Sequence, residues 1–250
     1  MGSRPDALKA AIDAAWRAFD LPAPATTGVC KNCCMDPKIE ADFLARQARD
    51  LPESYVRDWY FAAFTDDIAH NHVAWFLPRV MEMLADGREV ASVGDEVAFS
   101  RLPRTGFPDR WPERQVAAIN RFALAFLEFK LAADPPMGWA ELDYLLCMFG
   151  EGGIDIGPLL NRLDALTDGD LASLLHRTWF YAPAGGTDGT QCRSIPFDAF
   201  WSREPARSMA WNWYTSTALL DRMERAAMAG NETALAVYAL IATVRASDGL

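Results

Sequence analysis

The chain has only three histidines, and it contains no P-loop, no G-x-S-x-G elbow and no G-x-G-x-x-G fingerprint. Those gaps remove the phosphate cradle, the hydrolase nucleophile turn and the dinucleotide-binding turn in one pass. Nor is there a pair of carboxylates spaced for acid–base work. The nearest thing to a nucleophile and base is Cys192, in "G-T-Q-C-R-S", with His176, and nothing in the sequence positions either one. An enzyme is therefore the less favoured class, with no legible catalytic residue.

Other absences bound the fold and the compartment. No apolar run approaches the roughly 18–20 residues that span a bilayer. The start, "M-G-S-R-P-D-A-L-K", lacks the apolar core of a signal peptide. The expectation is a soluble, cytoplasmic protein. No segment alternates β-branched residues, so a sheet is not expected, and no exact internal repeat marks a solenoid. The five cysteines are an odd number without the spacing of a secreted disulfide framework. They read as thiols or metal thiolates.

What remains is rich in core-forming residues. Of 250 residues 51% are hydrophobic, with nine Trp and fourteen Phe, so a sizeable core is available and disorder is excluded. The apolar periodicity is helical. Leu8, Ile12, Trp16 and Phe19 make one stripe, which Leu21-Pro22-Ala23-Pro24 ends. Asp36-Pro37 reads as an N-cap followed by N1. Pro78 should kink or restart the helix that holds "W-F-L-P-R-V-M-E-M-L", and Trp111-Pro112-Glu113 opens a long helix to about Ala133. Two last helices are expected at roughly Glu204–Ala229 and Asn231–Ala246. The expected fold is all-α: about ten helices in antiparallel pairs, forming an irregular bundle or a short curved stack. It reads as a single domain over residues 1–250, with a subdomain division placed near 182–196.

Charge is unevenly spread. The formal net charge is −10. Between Leu131 and Asp170 lie eight acids (Asp134, Glu141, Asp143, Glu151, Asp155, Asp164, Asp168 and Asp170) against one base, Arg162, a balance of −7. Such a field repels nucleic acid and anionic lipid and attracts a basic protein. Glu141, Asp143, Glu151 and Asp155 are the candidate partner-binding acids. The simpler account makes these acids solvated helix faces and first turns, with Asp168 or Asp170 capping a helix. In "M-A-W-N-W-Y", Trp211, Trp213 and Tyr214 cannot all face one side of a helix, so part of that cluster is a candidate partner surface.

The corner "C-K-N-C-C" offers Cys30, Cys33 and Cys34 as candidate metal ligands, since two thiolates three apart can grip one tetrahedral zinc. No second C-x-x-C exists, so one of His70, His72 and His176 would have to complete the set. Packed, reduced thiols in a tight loop are the first reading, with no cofactor expected and zinc the alternative. In "D-D-I-A-H-N-H", Asp67 and His70 share a helical face and His72 follows. Helix capping by Asp66 or Asp67, with exposed histidines, is the expectation there.

The order of "V-C-K-N-C-C", "W-F-L-P-R-V-M-E-M-L", "W-P-E-R-Q-V-A-A-I" and "L-L-C-M-F-G-E-G-G-I-D-I-G-P-L-L" resembles a family of uncharacterised bacterial all-helical proteins. The resemblance spans most of the chain. It implies an all-α bacterial protein and carries no catalytic residue with it. The function these observations favour is that of a non-enzymatic, acidic helical protein that binds another protein. One concrete form is an immunity protein neutralising a basic toxin; the alternative is a zinc-binding protein or metalloenzyme built on Cys30, Cys33 and Cys34.

Overall fold

Proline and cap placement decide where the helices begin. Asp36 accepts from the Lys38 amide at 2.7 Å and Pro37 is the first helical residue, because a proline there forfeits only an amide that has no helical partner. Pro78 restarts a helix, as expected, at the second position of a new segment. In the computed structural model, which describes residues 4–30, 34–63, 68–181 and 192–249 (Cys192 in its backbone alone), the protein is all-α. It divides into two compact units: residues 1–129 with 151–154, and 130–150 with 155–250. The division expected near 182–196 instead falls inside the second unit. There the helix Asp168–Trp179 packs on the helices Glu232–Asp248 and Thr217–Met228, and a two-residue ribbon pairs Phe180–Tyr181 with Cys192–Arg193. Residues 182–191 themselves lie outside the described residues.

The first unit contains α1 (Asp6–Ala18), α2 (Pro37–Ala45), α3 (Glu53–Phe61), α4 (His70–Ala74), α5 (Leu77–Ala85) and all but the end of α6 (Glu113–Leu131). Short 3-10 turns occupy Asp95–Val97 and Leu102–Thr105. Phe43, Trp59, Trp75 and Phe76 are buried as one aromatic core, with Phe76 edge-on to both Phe43 and Trp59 at 5.8 and 4.8 Å. Leu8, Ile12 and Phe19 of the first stripe are buried, and Trp16 is half-buried. Its indole N–H donates to Glu82 on α5 at 2.8 Å.

The second unit holds α7 (Glu141–Glu151, up to Gly150), α8 (Gly157–Asp164), α9 (Asp168–Trp179), α10 (Ala206–Tyr214), α11 (Thr217–Met228) and α12 (Glu232–Asp248). Phe180–Tyr181 and Cys192–Arg193 form the antiparallel ribbon. The helix expected over Glu204–Ala229 is two helices. Ser216 accepts from the Leu219 amide and so starts α11 afresh, a cap that the Thr-Ser-Thr sequence offers and apolar periodicity hides. Asn231 caps α12 in the same way, through Ala234. Among the described residues, no helix is long and apolar enough to cross a membrane.

Candidate functional site

The cysteine corner is tied down by groups that are not cysteines. Thr27 donates to the Glu40 carboxylate through its amide and its hydroxyl, at 3.0 and 2.8 Å, which draws the loop onto α2. The Trp59 indole donates to the Thr27 carbonyl at 3.0 Å. Gly28 takes φ +75°, and a Cβ there would lie 2.4 Å from Nδ1 of His72, so only glycine fits. The Cys30 amide donates to Ala63 at 2.8 Å, while the Ala63 amide reaches the Cys34 sulfur at 3.3 Å. Cys30 and Cys34 are half-buried; Cys33 lies outside the described residues. Among the described residues no group of three His, Cys, Asp or Glu side chains is placed to hold a metal.

The histidines were expected to be exposed, and they are not. His72 is half-buried, burial pushes its pKa down, and its Nδ1 accepts from the Ala69 amide at 3.3 Å. It therefore caps the start of α4 from within. His70 contacts the buried Gln115 side chain at 2.7 Å and lies edge-on to Trp111 at 4.5 Å. Asp66 and Asp67, the caps expected here, lie outside the described residues. So does the Cys192 side chain, so its pairing with His176 stays unplaced. His176 stacks on Phe180 at 4.5 Å.

In the second unit the acids separate into different environments. Asp143 is 1% exposed. It accepts from the Asp198 amide at 2.7 Å, from the Trp201 indole at 3.1 Å and from the Tyr214 hydroxyl at 3.1 Å. Burial raises its carboxyl to about pKa 6 despite those three donors, which act in the opposite direction. Tyr214 is fully buried as well. Neither residue is available to a partner, which corrects both expectations: the apolar stripe of α7 rotates Asp143 inward, and α10 turns Tyr214 to meet it. Gly150, about two turns further along α7, leaves room for Trp201, whose ring would stand 2.6 Å from an added Cβ.

The remaining candidates are spread out. Trp211 and Trp213 are half-buried, Trp211 edge-on to Phe197 at 5.1 Å and Trp213 donating to Asp164 at 2.9 Å. Asp155 is exposed and accepts from the Gly157 amide at 2.9 Å. Glu151 is half-buried and belongs to the first unit. The cap of α9 is Thr167, whose hydroxyl accepts from the Asp170 amide; Asp168 and Asp170 sit in the first turn, and Asp168 takes an ion pair from Arg222 at 2.5 Å. Much of the acidic window thus terminates helices or pairs within the fold.

One surface feature went unread in the sequence. Trp139 is 44% exposed and Tyr181 is 43% exposed, and their rings contact at 5.6 Å. Ala140 adopts φ 61°, a left-handed conformation unusual for a residue with a Cβ, and its amide donates to the Thr178 carbonyl at 2.8 Å. That turn sets Trp139 beside Tyr181. The exposed Glu141 carboxylate accepts from the Gly138 amide at 3.2 Å, and Asp134 is exposed shortly before it in the chain. The sequence signal was present in "M-G-W-A-E", but apolar periodicity assigns that Trp to a helix face. No family model, no curated protein and no solved structure matches this chain.

Proposed function

We propose that this chain is a non-enzymatic binding protein that captures another protein with a basic surface. The Trp139–Tyr181 patch of the second unit, with Glu141 on its rim, is the contact region. The observation that carries this reading is the pair of large aromatic rings left exposed and held together by a strained turn at Ala140. Backbone in that region costs about 1 kcal/mol or more and persists where the surrounding structure imposes it. Trp and Tyr contribute most when a partner desolvates them, and an acidic rim accelerates encounter with a basic protein. The exposed acids Asp155, Asp164 and Asp170 extend the same sign of charge over this unit. Neutralisation of a basic toxin, in the manner of an immunity protein, is the specific form of this role that the charge suits.

Native mass spectrometry of the untagged protein from its own host, kept reduced, tests the proposal. A stoichiometric basic protein is expected, held less tightly by about tenfold or more when Trp139 and Tyr181 are both replaced by Ala. A bare chain, or a complex indifferent to that double substitution, would overturn it.

A further inference from the structure

We infer that the first unit carries a separate binding site for small carboxylates with a flat apolar body, in a recess of about 440 Å³ lined by Trp16, Phe19, Asp20, Arg46, Arg49 and Trp75. That volume is in the range of small-molecule sites. Arg49 is the reason for the ligand class. Its guanidinium lies over the Trp16 ring, 4.7 Å from the centre. Stacking occupies the face of a guanidinium and leaves its in-plane N–H groups directed outward, the fork that matches a carboxylate. Arg49 is exposed and donates no hydrogen bond among the described residues.

The platform is rigid. Trp16 is held through its indole N–H by Glu82, which also pairs with Arg79 at 3.3 Å, and Arg79 donates in turn to the Leu51 carbonyl at 3.2 Å. Phe19 and Trp75 are buried and give the recess an apolar floor. A second recess of about 370 Å³ shares Trp16, Asp20 and Arg49 and adds Arg17 and Asp13. Of the charged groups nearby, Asp13 is engaged by Lys9 at 2.9 Å and Arg46 by Asp42 at 2.8 Å, while the exposed Asp20 on the lining of both recesses sets one negative charge against the arginines. Among the described residues neither Arg49 nor Arg17 donates a side-chain hydrogen bond, and of the two it is Arg49, over Trp16, that lines the larger recess, with Arg17 adding positive potential beside it.

Calorimetric titration of the full chain with 3-phenylpropionate, and with its uncharged carboxamide, tests the site. One saturable site with a dissociation constant of roughly 10 µM to 1 mM is expected for the acid, and none for the amide. Arg49→Gln should weaken binding by about tenfold or more, and Arg49→Lys, which keeps the charge but not the fork, by nearly as much. Arg121→Gln, elsewhere on this unit, should bind as the native chain does. No saturable binding by about 10 mM, equal binding of acid and amide, or undiminished binding by the two Arg49 variants would each overturn the site.

Discussion

The Tyr214 hydroxyl donates to the Asp143 carboxylate across 3.1 Å, joining residues 71 apart in the sequence inside the second unit. With the Trp201 indole and the Asp198 amide it gives a buried carboxylate three donors, which ties α10 and the segment before it to α7.

Tyr214→Phe removes one of those donors and leaves the ring in place. The expected loss is about 1–3 kcal/mol of unfolding free energy, read from denaturant or thermal unfolding. A variant as stable as the native chain would show that Asp143 is satisfied without this bond.

Asp143 also makes stability depend on pH. Its carboxyl is raised from 3.8 to about 6 in the folded chain, so the folded state binds the proton more tightly than the unfolded state does. The contribution is complete below pH 3.8 and is lost as pH rises through about 6, amounting to about 3 kcal/mol over that window. Asp143→Asn should remove this fall from the stability–pH profile. Identical slopes in the two proteins between pH 4 and 7 would mean that the three donors outweigh burial.

Gly28→Ala should destabilise the first unit by more than about 1 kcal/mol, because alanine is strained at φ +75° and its Cβ meets His72. Adding His72→Ala should restore part of the loss by opening that space. If the double variant is no more stable than Gly28→Ala, the strain is in the backbone alone.

Zinc is the remaining use of Cys30, Cys33 and Cys34. His72, the histidine against this corner, has its Nδ1 accepting from the Ala69 amide, whereas a metal-ligating histidine usually donates from its second ring nitrogen. The expected outcome is a reduced protein whose native mass includes no zinc and whose Cys30→Ser variant melts within a few degrees of the native chain. Stoichiometric zinc that disappears in Cys30→Ser would establish the metal site instead.

Helix type, the Asp36-Pro37 start, the restart at Pro78 and the start of the last helix near Asn231 were legible in the chain because each depends on residues within one or two turns of one another. The same local patterns joined α10 to α11, since Ser216 interrupts a stretch whose apolar spacing barely changes. The acids around α7 and α8 and the aromatics of α10 were legible as clusters, but their environments were not. Asp143 and Glu141 are two residues apart, yet one is buried against Trp201 and Tyr214 while the other faces water beside Trp139. Composition and periodicity specify that such residues exist and which helix bears them. Which carboxylate loses its water, and which tryptophan keeps an exposed face, depends on elements that pack together from 40 to 70 residues away, and on a left-handed turn at Ala140 that no helical pattern encodes.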